Sequence, residues 1–91
     1  MKVKQVIKTS GDLQIFDSEK IFLSIWGAAQ DVGGKDQNLA NKLKEKIIEI
    51  INKQYSNGDT IPTSVIGDIV EKQLIEAGHA KTAKAYIIFR E

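Results

Sequence analysis

Lys8 and Lys20 are the residues of this chain whose setting could do chemistry, because the segment between them brings their ammonium groups together. Two short apolar runs, Val6-Ile7 and Leu13 to Phe16, flank Thr9-Ser10-Gly11-Asp12, a cluster of turn formers in which Gly11 can take a positive φ without a Cβ clash. This pattern predicts a tight β-hairpin. Asp17 then caps a helix that carries Lys20 in its first turn. The result sets Lys8, near the end of the first strand, close to Lys20 and to the N–H groups that open the helix, where anions are stabilised. The chemistry is the holding of phosphate, and a nucleotide fits such a site.

Other chemistries lack their residues. The absence of cysteine removes zinc ribbons, iron–sulfur clusters, thiol catalysis and a disulfide framework together. The single histidine, His79, follows a helix-stop glycine in what reads as an exposed turn, with no nucleophile or carboxylate at a recognisable spacing. Asp68 and Glu71 stand three apart on one helix, but flanking Lys72 they read as a solvated acidic face and not as a metal pair. No catalytic and no metal-binding residue is therefore assigned. Thirteen basic against twelve acidic residues give a net charge of +1, so a nucleic-acid role would need a local basic patch, and none is expected for this domain alone. The aromatic residues fall mostly at periodic apolar positions, which suits a core and not a row of rings for base stacking.

The elements that must position the two lysines follow from periodicity. Residues 3 to 17 read as the hairpin, after which Ile21, Phe22, Ile25, Trp26, Ala29 and Val32 recur at helical spacing until Gly33-Gly34. This first helix is apolar on more than one face and is expected to be central. Asp36 or Asn38 caps a second helix with the stripe Leu39, Leu43, Ile47, Ile50 and Ile51, ending near Tyr55. Ser56 to Asp59 is a turn signal, Thr60-Ile61 adds a short third strand, and Pro62 opens a new element. Thr63 or Ser64 caps a third helix carrying Val65, Ile66, Ile69, Val70, Leu74 and Ala77, with Gly78 just past its end; a last helix runs from about Ala80 to Arg90. The class is α+β: a four-helix bundle covered by a small three-stranded β-sheet, in the order β-β-α-α-β-α-α.

A chain of 91 residues is one small domain, able to bury about 60–65% of its unfolded surface without metal or disulfide. Met1 to Lys4 run into the strand pattern with none of the apolar core of a signal peptide, and the apolar runs fall short of membrane-spanning length. A cytoplasmic protein with no membrane partner is expected. The apolar ending Tyr86 to Glu91 has no polar tail, so residues 1–91 read as a domain cut from, or N-terminal in, a longer chain.

The run V-x-K-x-x-G-x-x-x-x-F-D-x-x-K-I from Val6, the two-helix middle, T-S-x-I-x-D-I-V-E-x-x-L from Thr63 and the closing A-K-A-Y-I-I-F-R together resemble the ATP-cone family over nearly the whole chain. Domains of that family sit at the N-terminus of ribonucleotide reductase catalytic subunits, of a transcriptional repressor of reductase genes and of some kinase-like proteins. The resemblance implies a non-catalytic allosteric module for ATP or dATP with Mg²⁺. In the reductases ATP favours the active state and dATP the inactive one, through a change of oligomeric assembly. Partners are then adenine nucleotides and other domains or subunits of the host, a homo-oligomer included, with Trp26 or Ile88 as candidate contact residues. Carried over by position, Lys8 and Lys20 meet phosphate and Gly11 lets the backbone approach. Val6 and Ile7 lie beside base and phosphates, Gln14 and Asp17 read adenine, and Thr63 is a capping hydroxyl beside the nucleotide. Gly67 stands where the family usually has a larger polar residue, Thr9 where it has arginine, and Gln14 where it is often acidic; Arg90 can supply the basic residue late in the last helix. The alternative is a degenerate cone without nucleotide, persisting as a structural or dimerisation module, with Thr9 and Gly67 as its signs.

Overall fold

The hairpin forms as its turn residues dictate. In the computed structural model, which describes residues 3–55 and 60–90 except for the side chains of Phe89 and Arg90, strands β1 (Gln5–Ile7) and β2 (Leu13–Ile15) pair antiparallel. The Lys8 N–H donates to the Asp12 carbonyl and the Gly11 N–H to the Lys8 carbonyl, both at 2.8 Å, which closes a three-residue loop over Thr9, Ser10 and Gly11. Gly11 has φ +92, and a Cβ built there meets nothing within 4 Å, so a side chain is opposed by backbone conformation alone. We expect Gly11→Ala to lower stability by about 1–2 kcal/mol, seen as an earlier urea midpoint with an unchanged slope.

The third strand, β3 (Thr60–Pro62), pairs parallel to β1, so the sheet order is β2-β1-β3 and β1 is central. The turn expected at Ser56 to Asp59 lies outside the described residues. Since strand side chains alternate, the paired residues Val6, Gln14 and Ile61 share the face toward the helices, where Val6 and Ile61 are buried. Ile7, Leu13 and Pro62 share the other. Asn52 anchors the sheet to the second helix by accepting from the Val3 N–H at 3.0 Å.

Helix α1 (Ser18–Asp31) starts where expected, with Asp17 Oδ1 accepting from the Glu19 N–H at 3.0 Å. Helix α2 (Gln37–Gln54) is capped by Asp36, not Asn38, through a 3.1 Å bond from the Leu39 N–H. Helix α3 (Thr63–Glu76) departs from expectation. Its N-cap is Pro62, no side chain caps it, and Thr63 is its first helical residue, so neither Thr63 nor Ser64 is the cap. The reason is that β3 runs through Pro62, whose φ of −64 already suits helix entry, and the helix begins at the next residue. At the other end Gly78 follows the C-cap Ala77, and bonds from Gly78 N–H to Ile75 and from His79 N–H to Leu74 close the helix. His79 is half-buried and not exposed, its carbonyl accepting the Ala83 N–H as helix α4 (Ala80–Arg90) begins.

Each helix buries a stripe: Ile21, Ile25 and Ala28 on α1, Ala40, Leu43, Ile47 and Ile51 on α2, Val70 and Leu74 on α3, Ala83 and Tyr86 on α4. The spacing of three or four residues places these on one face of each helix. Helices α1 and α3 each pack against both α2 and α4, which closes the ring. Helix α1 touches helices on two sides, yet Leu23 is 56% exposed, so one of its faces meets water. Gln73 joins the core by donating to Glu76 at 3.1 Å, a burial that its polarity did not announce.

Candidate functional site

Beneath the sheet, a cavity of about 370 Å³ is bounded by the hairpin, α1, α3 and α4. Val6, Lys8 and Thr9 enter from β1 and its turn, and Gln14, Ile15, Phe16 and Asp17 from β2 and the link behind it. Helix α1 contributes Lys20, Ile21 and Ser24; α3 contributes Thr63, Ser64, Ile66 and Val70; α4 contributes Tyr86. The helical contributions follow one rule. Asp17, Lys20, Ile21 and Ser24 are spaced i, i+3, i+4, i+7 along α1 and its cap, and Thr63, Ile66 and Val70 are spaced i, i+3, i+7 along α3, with Ser64 beside that stripe at the helix start.

The walls combine two exposed ammonium groups, Lys8 and Lys20, with one carboxylate, Asp17. Among the described residues neither lysine is held in an ion pair; the salt bridges found there join Lys44 to Glu45 and Lys53 to Glu49. The N-terminus of α1 is less open to an anion than its sequence suggests. The Glu19 N–H is taken by the Asp17 carboxylate and the Lys20 N–H by the Asp17 carbonyl, at 3.0 and 3.1 Å. The start of α3 has no side-chain cap and lies on the same cavity through Thr63 and Ser64. The partial positive charge of a helix start is therefore better directed at the cavity from α3 than from α1.

Of the residues named from the sequence, Val6, Lys8, Thr9, Gln14, Asp17, Lys20 and Thr63 are brought together here. Ile7, Gly11 and Gly67 do not line the cavity. Ile7 belongs to the outer sheet face, Gly11 shapes the turn that sets Lys8, and Gly67 is buried beside the stripe made by Ile66 and Val70. Arg90 has its side chain outside the described residues. Sequence reasoning missed Ile15, Phe16, Ile21, Ser24, Ser64, Ile66, Val70 and Tyr86. For Ser24, Ile66 and Val70 a signal existed, since the helical repeat can be extended from Lys20 and from Thr63. For Tyr86 none did, because only the packing of α4 against α1 and α3 brings it in. No group of three or more His, Cys, Asp or Glu able to hold a metal occurs among the described residues, and no helix there is long and apolar enough to cross a membrane.

This lining suits a small-molecule ligand. The volume lies within the range of small-molecule sites, with apolar walls from Val6, Ile21, Ile66 and Val70 and a few convergent polar groups. Comparison with known proteins agrees in kind. A family model described as ATP cone domain matches residues 4–91. A stretch of 52 residues, 56% of this chain, is 46% identical to ribonucleoside-diphosphate reductase subunit alpha of Chlamydia muridarum (strain MoPn / Nigg), covering 5% of that protein. The protein of the same name from Chlamydia pneumoniae is 27% identical over 95 residues, 94% of this chain and 9% of the relative. This chain thus spans less than a tenth of the length of these relatives. The family match runs from the start of the hairpin strand to the end of the last helix and encloses every wall of the cavity; the chain belongs to the ATP-cone domain family.

Proposed function

We propose that this chain is a non-catalytic regulatory module that binds ATP or dATP in the cavity beneath the sheet and controls a cytoplasmic ribonucleotide reductase of which it is part. The observation that carries the reading is the convergence of Lys8 and Lys20 on a partly apolar cavity that the uncapped start of α3 also faces. The ammonium groups and the α3 terminus suit a triphosphate, and the apolar stripes suit sugar and base. Asp17 is the one carboxylate in the lining, so Mg²⁺ would arrive with the nucleotide, held by phosphate oxygens and water.

Regulation requires that the two nucleotides favour different arrangements of a surface that another subunit or a second copy touches. Ile88, which is 71% exposed on α4, is the better candidate for such contact; Trp26 is half-buried against the core. A specific observation also favours a second reading, a cone that binds no nucleotide and serves as a structural or dimerisation module. Thr9 brings only a hydroxyl to the cavity where a bidentate cation would hold phosphate more firmly.

Titration with Mg²⁺ complexes of ATP, dATP and GTP by calorimetry, with melting followed in parallel, separates the two. A ligand at a hundred times its dissociation constant stabilises the fold by about 2.7 kcal/mol, which raises the melting temperature of a domain this small by about 10–20 °C. Heat and stabilisation with the adenine nucleotides are expected. Silence toward all three overturns the proposal in favour of the structural module.

A further inference from the structure

The β2 edge of the sheet offers a row of main-chain groups with no strand beside it. Hydrogen bonds join the Phe16 N–H to the Lys4 carbonyl at 2.9 Å and the Lys8 N–H to the Asp12 carbonyl at 2.8 Å. In an antiparallel pair such bonds fall at every second residue, so Val6 and Gln14 form the bonded pair between them. Leu13 and Ile15 therefore turn their N–H and C=O groups away from β1, to a side where β2 has no neighbour among the described residues. The side chains there are apolar, Leu13 being 58% and Ile15 81% exposed. Proteins commonly guard such an edge with a charge, a proline or a bulge. Strand β3, at the opposite edge, ends on Pro62, which has no N–H to give. Leu13-Gln14-Ile15 carries no guard of any kind.

We propose that this edge takes a second copy of the chain, β2 against β2, antiparallel about a two-fold axis at Gln14, so that two three-stranded sheets become one. The occupant follows from the self-complementarity of the strand. A two-fold at Gln14 sets Leu13 opposite Ile15 of the second copy, and Ile15 opposite its Leu13. The outward groups of these residues then make four main-chain hydrogen bonds, and this is the register in which every such group on β2 finds a partner within the strand. The same register stacks leucine against isoleucine on the sheet face away from the helices, where apolar cross-strand pairs are stabilising. Gln14 meets its own copy, and an amide can pair with an amide because each offers donor and acceptor. No like charges are opposed, since Asp12 falls opposite Phe16 and Asp17 opposite Gly11. The contact is separate from the α4 surface around Ile88 and independent of what the cavity holds.

Sedimentation equilibrium over rising concentration is expected to show the mass moving from 10.1 kDa toward twice that value. Leu13→Glu/Ile15→Glu sets carboxylate against carboxylate at both cross-strand pairs and should weaken association about a hundredfold or more. Leu13→Glu/Ile15→Lys sets each carboxylate against an ammonium in this register and should restore it, with circular dichroism showing that both variants fold. The chain has no cysteine, so Gln14→Cys supplies a single thiol. At that position the two Cα atoms would lie about 4.5 Å apart, within the span of about 4.4–6.8 Å that a disulfide bridges. Oxidised glutathione should thus cross-link Gln14→Cys into a dimer faster than it does Ile88→Cys. A chain that stays monomeric at every concentration overturns the proposal. So does association that survives the paired glutamates, or that the glutamate–lysine variant fails to restore. Cross-linking no faster at Gln14 than at Ile88 overturns it too and assigns the contact to α4.

Discussion

Replacing either Lys8 or Lys20 with alanine will weaken ATP binding by about ten- to a hundredfold while leaving the unliganded fold as stable as before. A hydrogen bond to a charged partner contributes about 1.5–3 kcal/mol, which converts to that range of affinity. Both side chains are exposed and line the cavity, and among the described residues neither has an ion-pair partner to lose. Surface changes of this kind shift stability by no more than about 0.5 kcal/mol. The variants therefore separate binding from folding. Calorimetry supplies the first quantity and thermal melting without nucleotide the second. The double variant should lose less than the sum of the single losses, because both ammonium groups act on one triphosphate and the effects of groups sharing a partner are not additive. Unchanged affinity in both single variants would sink the proposed site.

Ile47→Ala is the substitution expected to damage the fold most without touching the cavity. Ile47 is fully buried on α2, between Leu43 and Ile51, and no α2 residue lines the site. Truncating a buried isoleucine costs about 2–5 kcal/mol through lost transfer free energy and the void left behind. That is a large part of the 5–15 kcal/mol typical of a whole domain, so about 10 °C or more of melting temperature should go with it. The nucleotide affinity of the folded fraction should survive, and saturating ATP should raise the variant's melting temperature about as much as it raises that of the unaltered chain. Leu23→Gln, at an exposed position on α1, is the control and should move stability by no more than about 0.5 kcal/mol. A small effect at Ile47 would mean that the bundle repacks around the void.

Much of this molecule is decided locally. Gly11 and its neighbours close the hairpin, Asp17 and Asp36 start two helices, Gly78 ends a third, and the apolar spacing selects which face of each helix is buried. These features depend on residues within about one helical turn of one another, and their physical causes are the stereochemistry of single residues and the 3.6-residue repeat. The same locality made Lys8 and Lys20 recognisable as a pair, since a short hairpin and one cap separate them.

What no local rule supplies is the meeting of distant segments. That β3 lies parallel to β1 and makes it the central strand depends on where the bundle carries the start of α3. The same placement merges the end of the strand with the start of the helix at Pro62, which removes the cap expected at Thr63 or Ser64. Ile7 falls on the outer sheet face and Gly67 beside the α3 stripe, because one step along a strand or helix turns a side chain away from its neighbour's direction. Tyr86 reaches the cavity, and Gln73 the core, only through the packing of helices far apart in the chain. The elements, their order and the basic pair thus follow from residues near one another in the chain. Which strand is central, which helix start is open to the cavity and which residues form its walls depend on contacts that exist only once the helices have closed on one another.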